Sequence, residues 1–380
     1  MPIILLIAAV VSLLVIVGLL CQQCSKIGIT SKKRILIAFV GIGASISLLS
    51  LITAEPTQAE GAHAFYASKS SNELIVEPVE WILKAVYHDN RLSRSLLSIS
   101  GYLGRYATNY AHKVANSTDQ AVIQAKVNRF QVLYKEMLNM HEYDVPAGGF
   151  NTFNDWFIRT FKDIEKVRPM EADANAIVSP ADSKLLIIPN MSKDVQMVIK
   201  QQQFNMAKFL DDAQLAKKFE GGVMMIFRLA PYDYHRYHYP FDCTVSPERY
   251  IKGGYHSVNR RAFVVGAQPL TENKRSYELL TPINKSCQNC TIAMVQVGAT
   301  AVASIVNGFM DYEKNKLKDA KKVYKKGQEL GYFQFGGSTV VLLFPKDTII
   351  PDAQIVKHSA NGFETAVKVR ETIATWIEQL

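Results

Sequence analysis

Apolar positions along this 380-residue chain fall into three textures. Residues 2–20 form an apolar run without a charge, and residues 35–54 form a second in which only Gly, Ser and Thr interrupt the apolar side chains. About 20 apolar residues cross the roughly 30 Å of hydrocarbon in a bilayer, so each run predicts a membrane span. From about Glu77 to His141 the spacing is helical, as in Trp81, Ile82, Leu83 and Val86, then Val122, Ile123, Val127, Phe130, Val132 and Leu133. Pro146, Gly148 and Gly149 end that pattern, and residues 153–159 read as the start of a short aromatic helix ahead of Arg168 and Pro169. Beyond Ile177 short apolar or alternating runs predict strands at 177–178, 184–188, 223–229, 261–265, 292–306 and 339–344.

The expected fold class is α+β: transmembrane spans and a helical segment, followed by a mainly β catalytic domain. The boundaries implied are 1–64 for the membrane anchor or targeting region, 65–165 for the helical segment and 166–380 for the catalytic domain.

Charge orients the chain. Lys26, Lys32, Lys33 and Arg34 lie between the two runs, whereas Glu55 and Glu60 follow the second and no basic residue comes before Lys69. By the positive-inside rule the short loop is cytosolic, and the catalytic domain lies on the non-cytosolic side of the membrane. A rival reading makes residues 32–64 a signal-like segment with Ala62, His63 and Ala64 as a cleavage point; it also exports the catalytic part. The net charge of +9 includes a run of lysines from Lys314 to Lys326, which suits a solvated face or contact with anionic headgroups. Without interleaved aromatics that run does not suit nucleic acid, and no nucleic-acid partner is expected. Cys287 and Cys290 form a lone CxxC with no second pair or nearby His, so a local disulfide is expected there and no metal site.

Candidate chemistry centres on Gly336, Gly337, Ser338 and Thr339, between an aromatic stretch and the run 340–344. By turn chemistry alone this is a hairpin. Four other segments change its meaning: Val178-Ser-Pro-Ala-Asp182, Asp233-Tyr-His-Arg-Tyr-His-Tyr-Pro240, Ser257-Val-Asn259 and Val297-Gly-Ala-Thr300. In this order, and with the aromatic stretch 153–159, they resemble the landmarks of the phosphatidylserine decarboxylase family from about Phe130 to the C-terminus. The two-span leader is not covered.

The resemblance implies a proenzyme that cleaves itself between Gly337 and Ser338 and converts Ser338 into a covalent pyruvoyl cofactor. Its two cleaved chains would stay in a non-covalent complex, and a homodimer is compatible with the family. Ser338 Oγ would attack the Gly337 carbonyl, with His238 as base and Asp182 as its orienting carboxylate; a serine hydroxyl is a weak nucleophile without such help. His235 is assigned to decarboxylation, holding the substrate or supplying the proton. Three residues apart, the two histidines face opposite sides in a strand, whereas a turn or helix lets both reach one pocket. Through a Schiff base to the pyruvoyl carbonyl, phosphatidylserine in the membrane would lose CO2 and leave as phosphatidylethanolamine. The alternative is a membrane-tethered pyruvoyl-dependent amino-acid decarboxylase, which some relatives exemplify; the two spans favour the lipid. A serine hydrolase is the rival from another class, but it lacks a G-x-S-x-G elbow. Two positions depart from the family pattern: Ser183 and Arg370 each stand where Gly is common.

Overall fold

The computed structural model describes residues 109, 112–191, 194–197, 202–256, 268–283, 287, 290–299, 305–307, 310–311, 316–317, 323–335 and 338–377. Both apolar runs, the strand expected at 261–265, the Ser257–Asn259 segment, Thr300, Gly336 and Gly337 lie outside them. Among the described residues no helix is long and apolar enough to cross a membrane.

Helix α1 (Gln120–Leu133) begins where the Asp119 carboxylate accepts from the free amides of Ala121 and Val122. Its Ile123, Val127 and Phe130, one helical face, are buried. Two short helices follow, α2 (Phe153–Phe157) and α3 (Ile164–Val167), capped by Thr152 and Asp163. These helices share one core: Phe130, Phe153, Trp156 and Phe157 pack with Tyr232, Tyr234, Phe335 and Val369 of the β region. The helical segment is therefore a wall of the candidate site.

The β region is built on an eight-stranded sheet: β1 (Ser183–Ile188), β2 (Val223–Leu229), β3 (Cys243–Val245), β4 (Arg249–Ile251), β5 (Arg275–Pro282), β6 (Ile292–Gly298), β7 (Ser338–Phe344) and β8 (Thr365–Val367). The order is β8-β1-β2-β7-β6-β5-β3, with β4 also on β5, and every pairing is antiparallel. β7 is central and buried along its whole length. Val340 and Leu342 enter one core with Phe227 and Met294, whereas Val341 and Leu343 enter another with Ile226 and Val295. A strand covered on both faces reads as an unbroken apolar run, which is why this one was visible in the sequence.

A three-stranded sheet stands beside it, with Glu329–Phe333 paired to Ile305–Asn307 on one side and to Arg236–His238 on the other. Another joins Ala176–Val178, Thr372–Trp376 and Ile349–Pro351. The run expected as one strand at 292–306 is two, β6 and Ile305–Asn307, belonging to different sheets. Cys287 and Cys290 form the expected disulfide.

Candidate active site

Ser338 is the first residue of β7, fully buried between Leu229 of β2 and Gly298 of β6. Opposite it, the 230–235 segment is folded by its own polar groups. Asp233 accepts from the Ala230 amide at 2.7 Å, and Asp233 N–H donates to the Ala230 carbonyl at 2.9 Å. Buried Arg159 donates from Nη2 to the carbonyls of Tyr232 and Asp233, at 2.8 and 3.3 Å. Phe157 of α2 stacks on the His235 ring with centroids 3.8 Å apart, and the His235 carbonyl accepts from Phe333 N–H. Thus held, His235 puts Nδ1 3.2 Å from Ser338 Oγ.

That ring is uncharged at neutral pH. Burial first, then the Arg159 cation, push its pKa down to about 3, and the nearby carbonyls of Pro231 and Ala230 only partly oppose this. A neutral imidazole has one bare nitrogen. Nε2 is buried without a hydrogen-bond partner, and with the ring proton there Nδ1 is free to accept the Ser338 hydroxyl proton.

His238 faces elsewhere. Its Nδ1 lies 2.9 Å from the Gly327 carbonyl, which only accepts, so Nδ1 carries the proton. Nε2 then accepts from the Tyr234 hydroxyl at 3.1 Å. Burial, followed at some distance by the repulsion of Arg370 and Arg236, lowers this ring to about 4. In this arrangement both nitrogens of His238 are engaged away from Ser338. The contact expected of His238 is made by His235, which precedes the strand Arg236–His238, whereas His238 ends that strand among other neighbours.

Asp182 likewise makes no hydrogen bond to a histidine, although its charge reaches His238. Its carboxylate accepts from Arg168 Nε at 3.1 Å and Nη2 at 2.7 Å, and from Val369 N–H at 2.8 Å, with Lys368 Nζ at 3.5 Å. Burial alone would raise its pKa, but the Arg168 hydrogen bonds and the Lys368 and Arg168 charges outweigh that and hold it below the usual carboxylate range. Arg168 is itself fixed by Glu142 at 3.0 Å and by the face of Phe161. Ser338, His235, His238 and Asp182 thus gather around one region as three separate pairings. Gly337 lies outside the described residues.

Several supporting residues were not assigned roles from the sequence. Arg159 and Arg168 had a signal, being cations embedded in an aromatic, buried stretch. Tyr234 lies inside the 233–240 motif, and its hydroxyl is the partner of His238. Lys368 and Val369 carry no local signal; only the return of the chain after β8 brings them to Asp182.

A second polar group lies on the face of the sheet that carries Ser338. Glu278 of β5 accepts from Gln296 at 2.9 Å and from Asn307 at 2.8 Å, and Asn307 Oδ1 accepts a short hydrogen bond from Tyr237, the neighbour of His238. It links the histidine-bearing sheet to the serine-bearing one. Burial pushes the Glu278 carboxyl up to about 8, with Glu248 adding to the rise.

A family model described as phosphatidylserine decarboxylase matches residues 153–375. The phosphatidylserine decarboxylase proenzyme of Fusobacterium nucleatum is 34% identical over 310 residues, covering 80% of this chain and 95% of that one. The proenzyme of the same name from Clostridium perfringens is 38% identical over 282 residues, 74% of this chain and 89% of its own. That of Chlamydia pneumoniae is 30% identical over 301 residues, 79% and 93% respectively. The class to which the fold and the buried serine correspond is therefore that of decarboxylases made as precursors. Within it, the chain belongs to the phosphatidylserine decarboxylase family.

Proposed function

We propose that this chain is the proenzyme of a phosphatidylserine decarboxylase that cuts itself between Gly337 and Ser338 and releases phosphatidylethanolamine and CO2 from phosphatidylserine. The observation that carries the reading is the buried Ser338 hydroxyl 3.2 Å from Nδ1 of an uncharged histidine. His235 takes the hydroxyl proton as Oγ attacks the Gly337 carbonyl carbon, and the Gly337–Ser338 peptide becomes an ester with residue 338's nitrogen as a free amine. Loss of the Cα proton then breaks the Cβ–Oγ bond and frees the Gly337 carboxylate. Hydrolysis of the remaining unsaturated amine, with loss of ammonia, leaves residue 338 as a pyruvoyl group.

The surroundings fit such a group. Residue 338 opens a fully buried strand, and His235 stands at hydrogen-bond distance from its side chain. When formed, the pyruvoyl group supplies the electron sink for loss of the substrate carboxylate. His235, at hydrogen-bond distance from the side chain of residue 338, is placed to hold or deliver a proton there.

The chain starting at 338 keeps its place because β7 is central. It pairs along seven residues with β2 and six with β6, and five buried side chains from Val340 to Phe344 contribute roughly 10 kcal/mol at about 2 kcal/mol each. This supports a lasting non-covalent complex of the two chains. We place the catalytic part on the non-cytosolic side of a membrane: the basic loop at 26–34 supports that orientation, and the Cys287–Cys290 disulfide suits an oxidising compartment.

Mass spectrometry of the purified protein should show two chains, the smaller beginning at residue 338 with a blocked N-terminus. Offered phosphatidylserine and free tryptophan in turn, it should release CO2 from the lipid. An intact active chain would defeat the self-cleavage reading, and turnover of the amino acid alone would replace the substrate.

A further inference from the structure

Arg370 is a non-glycine residue with φ of 73°, a left-handed backbone that costs a side-chain-bearing residue about 1 kcal/mol or more. Here it carries a large cation that is also 93% buried, at 7% exposure. Its amide donates to Ser179, beside the Asp182 loop. Its guanidinium lies 2.7 Å from Glu165 at Nη1, an ion pair without hydrogen-bond geometry, and donates to the Gly327 carbonyl from Nη2 at 3.5 Å, while Nε and Nη1 are buried without a hydrogen-bond partner. Residue 327 is itself left-handed, and a Cβ there would meet Arg370 Nε at 3.0 Å and Met170 Sδ at 2.8 Å. The turn is shaped around the arginine. Gly327 O is also the acceptor of His238 Nδ1.

We propose that Arg370 is a positioning residue for His238: by sharing the Gly327 carbonyl with the ring, it fixes that carbonyl and holds the Nδ1–H tautomer, with the Nε2 lone pair turned to Tyr234. This rests on the decarboxylase reading only for its purpose, since the geometry is present in the uncut chain. Arg370 belongs to the smaller chain, whereas Gly327, His238 and Glu165 belong to the larger, so the tie spans the two products of cleavage. Its charge also bears on the ring. The groups facing His238 are Tyr234 ahead of its strand, Arg236 on it, Glu329 paired opposite, Asp182 from the loop before β1 and Arg370 after β8. Arg236 is matched by Glu329 at 2.7 Å, whereas the partner of Arg370, Glu165, is 69% exposed and its charge is screened by water. Arg370 is therefore the least compensated cation beside the ring.

The test follows histidine titration by NMR in full-length, histidine-labelled Ser338→Ala protein, with His238→Gln assigning the signal. Arg370→Gly takes φ of 73° without strain and should fold; His238 should then protonate about one pH unit higher and lose its fixed tautomer. Arg370→Lys, which keeps the charge without the fork, should move it by roughly half as much. An unchanged His238 titration and tautomer in folded Arg370→Gly overturns the proposal; Arg370→Gln carries the same test should the glycine variant not fold. Because titration is read in an uncut chain, it is separate from the decarboxylase reading, which is tested by whether the parent chain splits and releases CO2 from phosphatidylserine.

Discussion

Two corners of this site meet opposite electrostatic problems. At Ser338 and His235 charge is suppressed: both are fully buried, Phe157 covers the ring, and burial with Arg159 keeps it neutral. At Asp182 charge is kept, because Arg168 grips both carboxylate oxygens and Val369 N–H and Lys368 add to them. A histidine in the first setting retains a bare nitrogen for a proton. A carboxylate in the second has little capacity left to orient a neighbour and acts as a rigid anchor. The comparison divides the residues into a reacting pair and a framework, and the division can be broken by substitution.

The largest effect is expected at the reacting pair. Ser338→Ala should leave a single chain of full mass with no blocked fragment, read by mass spectrometry. His235→Gln should slow cleavage about 100-fold or more, the usual scale for loss of a positioned base, and His238→Gln by less. Cleavage half-times would show it, and an equal or larger loss for His238→Gln would mean that His238 turns onto Ser338 before the cut.

At the anchor the expected loss is in stability. Arg168→Met leaves the Asp182 carboxylate buried with its principal partner gone and should cost about 3–5 kcal/mol, visible as a lower thermal midpoint. Lys368→Met, removing a 57% exposed amine 3.5 Å away, should cost about 1 kcal/mol or less. Equal effects would contradict the view that Arg168 holds the carboxylate.

Smaller again are two effects of pH. His235 and His238 protonate at about 3 and 4 in the fold but near 6.5 when unfolded, so the unfolded chain binds more protons in between. Their contribution to stability is full above pH 6.5 and falls as pH drops from there toward 4. Glu278 has the opposite sign: its folded pKa of about 8 exceeds the unfolded value near 4.5, so its contribution is present at low pH and is lost as pH rises between these values. Glu278→Gln keeps the shape and removes the titration, and it should flatten that alkaline decline in midpoints measured from pH 5 to 9.

Much of the molecule was legible in the chain, and the exceptions have a common cause. The doubly covered strands β2, β6 and β7 announce themselves as apolar runs, because neither face meets water. Arg236–His238 and β5 do not: His238, Arg275, Ser276 and Glu278 are polar yet buried, in pairings with groups far along the chain, so no local period marks them. The asymmetry of the site follows the same rule. Motif order by itself determined the family likeness, the serine at 338 and the four candidate residues, since those are matters of residue type and spacing. Only the tertiary structure decided that His235 stands against Ser338, that His238 faces Tyr234 and Gly327, and that Asp182 is held by Arg168. A hydrogen bond depends on direction over about 3 Å, and direction is set by which way a strand turns its side chains once its neighbours are in place.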